Sequence, residues 1–304
     1  MCGIAGELRF DNQAADLAAV ERITHHLAPR GPDAHGFHSR GPVAFGHRRL
    51  KIMDLAEASG QPMIDNDLGL SMVFNGAIYN YPELRGELEQ LGYRFFSGGD
   101  TEVLLKGYHA WGADLLPKLN GMFAFAIWER DSQQLFIARD RLGVKPLYLS
   151  KTKDRLRFAS SLPALLKGGD IGKTLDPVAL NHYLNFHAVV PAPRTILAGV
   201  EKLPPATWMR IDTNGKVEQQ VWWTLNFGPN ADEANFTFED WRDATLDSMR
   251  EAVEIRQRAA VDVGVLLSGG VDSSMLVGLL REAGVENLLT FSIGFQDAGG
   301  ERGD

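Results

Sequence analysis

Three clusters of residues in this 304-residue chain have the composition of reaction sites. The first is the amino terminus, where Cys2, the only cysteine, stands beside Met1. Removal of Met1 leaves one residue with both a thiol and a free α-amino group. That pairs a soft nucleophile with a base whose ordinary pKa is near ~8. By position alone Cys2 also fits a small buried hydrophobe at the start of a strand. The second cluster is Asn75-Gly76. A side-chain amide and the next backbone N–H can both point at one oxygen, and glycine lets a substrate approach closely. The same dipeptide is a strong hairpin-turn signal. Two charged residues could flank it. Arg49, in His47-Arg48-Arg49-Leu50, is a fork for a carboxylate, or one of a solvated pair on a strand. Asp100, in Ser97-Gly98-Gly99-Asp100, could face an ammonium group or cap the next helix. The third cluster is Ser268-Gly269-Gly270-Val271-Asp272-Ser273-Ser274. Glycine N–H groups, hydroxyls and a helix start make a phosphate cradle, or a Gly-rich turn with Ser and Asp as caps. It lacks the lysine of an ordinary P-loop.

The elements that must position these clusters follow from periodicity and breakers. Residues 2–10 read as a strand. Leu17, Val20, Ile23 and Leu27 recur at helical spacing and stop before Pro29. Arg30-Gly31-Pro32-Asp33 is a turn cluster. Residues 43–53 are β-like, and a short strand over 71–74 ends in Asn75-Gly76. Leu84, Leu88 and Leu91 share one helix face, as do Leu104, Tyr108 and Trp111. Residues 121–129 and 135–139 read as strands around a polar turn. Many strands with several helices predict stacked sheets covered by helices. Residues 167–173 read as a boundary, and Asp176 with Pro177 opens a helix to about residue 186. Residues 207–211 and 219–223 form a hairpin that completes the first domain's edge. A long helix over 238–259 precedes a strand at 263–267, a helix bearing Leu276, Leu279 and Leu280, and a strand at 288–293. This is a β-loop-α-β unit.

Composition narrows the class. A formal net charge of −8 argues against nucleic-acid binding, because no basic excess exists to neutralise phosphates. One cysteine cannot form an internal disulfide, which suits a reducing compartment. No basic-then-apolar leader and no long apolar run is visible, so a cytoplasmic protein free of membrane is expected. The eight histidines show no metal set, and His35 and His38 read as loop residues. A homodimer is compatible with this composition.

Cys2-Gly3-Ile4, Arg30-Gly31-Pro32-Asp33, Arg49-Leu50, Asn75-Gly76, Gly99-Asp100 and Arg139-Asp140 occur in one order. With them the first half resembles the class II glutamine amidotransferase domain, an N-terminal-nucleophile hydrolase. The resemblance implies an α+β fold, an α-β-β-α sandwich. It makes Cys2 the nucleophile, assisted by its own α-amino group. Asn75 and Gly76 hold the oxyanion, and Asn75 also contacts glutamine. Arg49 binds the α-carboxylate of glutamine and Asp100 its α-ammonium. Asparagine synthetases usually carry Asn-Gly-Glu at this place, whereas here Ala77 follows Gly76, so Asp100 acts without that carboxylate. The 268–274 heptapeptide resembles the pyrophosphate loop of ATP pyrophosphatases, of the α/β adenine nucleotide α-hydrolase-like type. This implies that Ser268, Gly269, Gly270, Asp272, Ser273 and Ser274 line an ATP pyrophosphate site. Mg²⁺ would bridge the phosphates, with Asp272 as a direct or water-mediated ligand.

Together the two halves resemble glutamine-dependent asparagine synthetase. The implied domains are 2–166 for the glutaminase, 167–235 for a linker and edge hairpin, and 236–304 for the start of the synthetase. The implied activity is hydrolysis of glutamine at Cys2, with ammonia amidating a carboxylate that ATP has adenylated. AMP and pyrophosphate leave. The acceptor is aspartate by family default. The Asn75-Gly76-Ala77 variant is similar to the N-acetylglutaminylglutamine amidotransferase branch, whose acceptor is an acetylated dipeptide. The chain reaches Gly300-Glu301-Arg302-Gly303-Asp304 just past the second strand of the nucleotide unit. Two parallel strands cannot bury both faces, so a truncated chain is expected. Two other readings stay open: a chain acting only as glutaminase, and a non-catalytic regulatory or interaction protein. Retention of Met1 in the cell would favour the latter.

Overall fold

Residues on the first strand alternate between two environments, as a period of two requires. Ile4 and Leu8 enter one apolar cluster and Ala5 another, so that strand must be covered on both faces. In a computed structural model, which describes residues 1–228 and 230–294, the cover is a second sheet on one side and helices on the other. The residues at 300–304 on which the expected truncation rests lie outside the described residues.

The first unit is Met1–Leu225. It begins with β1 (Gly3–Arg9), α1 (Leu17–His26), β2 (Ala34–Arg40), β3 (Val43–Arg49), β4 (Met63–Asp65) and β5 (Leu70–Ile78). Then come α2 (Tyr81–Gln90), α3 (Asp100–Trp111), α4 (Leu115–Lys118), β6 (Gly121–Glu129) and β7 (Gln134–Arg139). It continues through β8 (Tyr148–Lys151), β9 (Arg155–Ala159), α5 (Leu162–Leu165) and α6 (Pro177–Asn185). The last strands are β10 (Glu201–Lys202), β11 (Thr207–Asp212) and β12 (Val217–Val221).

Two six-stranded sheets result, ordered β10-β8-β9-β1-β3-β2 and β12-β11-β7-β6-β5-β4. Between them Ile4, Leu8 and Phe45 meet Val73, Ala126, Trp128 and Ile137. Val20 and Ile23 of α1 and its C-cap residue Leu27, with Leu165 of α5, cover Ala5, Ala44 and Ala159 on the outer face of the first sheet. Leu84 and Leu88 of α2, with Val103 and Leu104 of α3, cover Met72, Phe74 and Phe125 on the outer face of the second. Each large apolar side chain buried in these layers contributes about 1.5–3 kcal/mol. The order of layers is α-β-β-α, as the resemblance implies. Close approach is exacting at Gly6, where a Cβ would lie 2.4 Å from the Phe158 ring.

Three details differ from the sequence-based expectation. Asn75 and Gly76 do not end a strand in a turn; β5 runs on to Ile78, with Asn75 opposite Ala124 and Gly76 opposite Phe123. A distant partner strand overrides the local turn preference. His35 and His38 lie on β2, paired with Arg48 and Phe45, rather than in a loop. Its polar face reflects its place at the edge of the sheet. Residues 167–206, expected as a linker ahead of the edge hairpin, are built into the first unit along with that hairpin. β10 pairs with β8, and β11 pairs with β7 in the register Trp208–Ala138. Trp208, Met209 and Ile211 are buried there, which draws the segment onto the sheet.

The second unit is Asn226–Asp304. Its α7 (Phe238–Arg256) starts in a capping box between Thr237 and Asp240. β13 (Gly264–Leu266), α8 (Val271–Glu282) and β14 (Leu289–Phe291) follow. β13 and β14 pair in parallel, and Val253, Val265, Leu279 and Leu280 form a small core. Among the described residues no helix is long and apolar enough to cross a membrane.

Candidate active site

Cys2 precedes β1 directly, and the β1–β3 register places Gly3 opposite Arg48. The thiol therefore meets the end of β3. Leu50 N–H donates to Cys2 Sγ at 3.4 Å, and Cys2 Sγ lies 3.7 Å from Leu50 O. Arg30 Nε donates to Cys2 O at 3.1 Å. Burial pushes the thiol pKa up; the Leu50 amide, the adjacent amino terminus and Arg49 oppose this, while Asp100 adds to it. A thiol kept protonated needs a base to become a nucleophile. Burial, with Arg30 and Lys145 nearby, lowers the pKa of the terminal amine. In the chain as described that amine belongs to Met1, and the Cys2 nitrogen is an amide that cannot take a proton. Asp140 shapes the neighbouring loop by accepting the N–H groups of Phe123, Val144 and Lys145. Lys145 Nζ lies 3.1 Å from Met1 Sδ.

The Asn75-Gly76 dipeptide owes its geometry to the strand. Phe74 N donates to Gln61 Oε1 at 2.6 Å, and Ile78 N donates to Asp100 Oδ2 at 3.0 Å. Antiparallel alternation puts the intervening Gly76 N–H on that same edge of β5. β4 reaches only as far as Met72 along this edge, so among the described residues no strand covers Gly76 there. Asn75 is 1% exposed, and among the described residues neither its Nδ2 nor its Oδ1 has a partner. Ala77 is buried and offers no charge.

Asp100 is the first residue of α3, and Gly99 takes the N-cap position. Its carboxyl is buried, and burial raises its pKa to about 6 against the opposing N–H donors of Ile78, Asp100 and Thr101. Arg49 is buried rather than solvated. Its Nη1 donates to Ala56 O at 2.9 Å and its Nη2 to Asp54 O at 2.7 Å. A guanidinium has five N–H donors, so capacity for a carboxylate remains.

Asp54, Gln61 and His47 were not legible as site residues. Asp54 accepts Ala56 N at 2.8 Å, Gly98 N at 3.2 Å and the Ser59 hydroxyl. It thereby joins the loop that holds Arg49 to the segment leading into Asp100. A single acidic residue in a loop carries no periodic signal, which is why the sequence is silent about it.

In the second unit the 268–274 loop turns at Gly269, whose φ of +81° favours glycine. Ser273 Oγ accepts Ser268 N at 3.3 Å and donates to Gly270 O at 3.1 Å. Ser274 N also bonds Gly270 O. The first N–H groups of α8 have no acceptor within the helix. Asp272 is exposed at the helix start. Among the described residues no group of three or more His, Cys, Asp or Glu could hold a metal ion.

Residues 1–223 match the family of the glutamine amidotransferase domain, and residues 244–304 match asparagine synthase. Asparagine synthetase [glutamine-hydrolyzing] 1 of Bacillus subtilis is 39% identical over 303 residues, 98% of this chain and 46% of that protein. A putative asparagine synthetase [glutamine-hydrolyzing] 2 of Methanocaldococcus jannaschii is 34% identical over 321 residues, 97% of this chain and 60% of that protein. The chain thus spans about half the length of the curated relatives it matches. In fold it is similar to glutamine phosphoribosylpyrophosphate amidotransferase from B. subtilis complexed with ADP and GMP. That likeness has a TM-score of 0.53 at 18% identity over 98% of this chain and 67% of the other. With its first 223 residues matched and asparagine synthase sequence following, this chain belongs to the glutamine amidotransferase domain family.

Proposed function

We propose that the first unit hydrolyses glutamine at Cys2 and that the second begins the ATP-dependent half of an asparagine-synthetase-type amide ligase. The observation that carries this reading is the Asn75 side chain, buried without a partner and followed by a Gly76 N–H on an uncovered strand edge. Leaving a buried polar group unpaired costs about 1–3 kcal/mol. A ligand oxygen seated there would satisfy both donors.

The chemistry then follows from the residues. Met1 is removed, and the α-amine of Cys2, in its neutral form, takes the thiol proton. Sγ bonds to the carboxamide carbon, and the C=O π pair moves onto oxygen. Asn75 Nδ2–H and Gly76 N–H hold that oxygen. The amine returns the proton to the leaving nitrogen, the C–N bond breaks, and ammonia departs from a γ-glutamyl thioester. Water cleaves the thioester to glutamate. Arg49 holds the α-carboxylate and Asp100, ionised above about pH 6, the α-ammonium.

The loop of Ser268, Gly269, Gly270, Asp272, Ser273 and Ser274 binds the pyrophosphate part of ATP. Its exposed N–H groups, hydroxyls and single exposed carboxylate fit Mg²⁺ held chiefly by phosphate oxygens, with Asp272 as its protein ligand; bound there, the ion would neutralise phosphate charge. The acceptor carboxylate is that of aspartate or an acetylated glutamine dipeptide. The single cysteine suits a reducing, cytoplasmic setting.

The test is glutamate release from glutamine by the purified chain. Asn75→Ala should lower kcat by roughly 10²–10³-fold. A variant without Asn75 or Cys2 that hydrolyses glutamine at the parent rate would overturn the reading.

A further inference from the structure

Another unsatisfied atom lies next to the oxyanion dipeptide. His47 has no exposed surface. Its Nε2 is 3.1 Å from Phe74 O, the carbonyl that immediately precedes Asn75. A carbonyl only accepts, so Nε2 carries the hydrogen and Nδ1 the lone pair. Burial, with Arg49 adding to it and the hydrogen bond to Phe74 O opposing it, pushes the His47 pKa down to about 3. The ring is therefore neutral and held in one tautomer.

Among the described residues its Nδ1 is a buried acceptor with no donor, and Asn75 Nδ2 is a buried donor with no acceptor. Strands β3 and β5 approach each other across the sandwich. Val43 and Phe45 of β3 and Val73 of β5 share the core between the sheets. The period of two continues those inward faces to His47 and Asn75. Two mismatched orphan atoms on facing inward positions are complementary to each other.

We propose that His47 is a positioning residue for the oxyanion site: its Nδ1 accepts one Nδ2–H of Asn75 through one buried water. The other Nδ2–H is thereby left for the substrate oxygen. Without this acceptor the amide can turn over and present Oδ1, which repels the developing negative charge. His47 moves no proton and touches no substrate. The inference rests on Asn75 as the oxyanion donor.

The test is a double-mutant cycle read in kcat and KM for glutamine hydrolysis, with thermal unfolding as the check on folding. His47→Leu should lower kcat by roughly 10–100-fold, somewhat less than loss of the donor itself, with KM within about twofold. His47→Gln should recover most of that loss, because its amide can donate to Phe74 O and accept from the bridging water. In an Asn75→Ala background His47→Leu should cost nothing further. Should His47→Leu fail to fold, the cycle is run with His47→Asn, whose shorter amide cannot span both partners. Equal losses in both backgrounds, a change in KM alone, or His47→Gln as poor as His47→Leu would overturn the inference. If Asn75→Ala itself loses nothing, the oxyanion assignment fails first, a separate outcome.

Discussion

Asp100 accepts the Ile78 amide hydrogen through Oδ2 at 3.0 Å. This bond ties the first residue of α3 to the end of the strand that carries Asn75 and Gly76. The group assigned to the substrate's ammonium and the donors assigned to its reacting oxygen thus belong to one frame. Asp54, accepting from Gly98 at 3.2 Å, joins the Arg49 loop to the same frame. In the proposed reaction, fixed spacing between these groups would turn binding of the amino-acid end into placement of the amide end.

The carboxyl of Asp100 supports a paired prediction about pH. Its pKa is about 6 in the folded chain, against about 3.9 unfolded. Between those values the folded chain keeps a proton that the unfolded chain has released. Stability therefore falls as pH rises across this window, by up to about 3 kcal/mol. Asp100→Asn removes that loss, so its melting temperature should exceed the parent's at pH 8 and the gap should close near pH 4. The same variant should raise KM for glutamine at least about tenfold, the scale of a lost charged hydrogen bond. In the parent, KM should climb as pH drops below about 6. A variant with parental KM would remove Asp100 from the binding site.

Gly76 is fixed by space as well as chemistry. A Cβ there would lie 2.3 Å from Met122 O and 2.5 Å from the Phe74 ring. Gly76→Ala should destabilise the fold by about 1–3 kcal/mol, read by urea unfolding. It should also cut kcat more than it raises KM, because the strand must shift to admit the methyl group.

Asp54 organises the loop that holds Arg49, so its effect on glutamine binding is expected to be indirect. Asp54→Ala frees Gly98 N, Ala56 N and the Ser59 hydroxyl. KM for glutamine should rise by roughly tenfold, the worth of one to two ordinary hydrogen bonds, with kcat nearly retained. Steady-state kinetics separates the two; an unchanged KM would show that Arg49 does not depend on this loop.

Much of the frame was legible in the residues. The spacing of Val20, Ile23 and Leu27 marks α1, and the Asp176-Pro177 pair marks the start of α6. The ordered motifs from Cys2 to Asp140 carried the four-layer arrangement. Legibility failed where long-range pairing decides. Asn75-Gly76 has strong local turn character, yet β6 holds it extended. Residues 167–206 look like a connector, yet β10 bonds to β8 and belongs to the first unit; the hairpin of β11 and β12 at that unit's edge was legible. Asp54, Gln61 and His47 are single polar residues without period or motif. Their significance lies in which backbone group each one reaches, which only the folded chain displays.

The central claim is that Cys2, freed of Met1, attacks glutamine. Its most direct test is mass spectrometry of the chain quenched in acid during turnover, with and without Met1 at the amino terminus. The account predicts a γ-glutamyl adduct on Cys2 in the chain that begins at Cys2, and none when Met1 is retained. Glutamine turnover without such an adduct, or an adduct formed equally with Met1 in place, would contradict it.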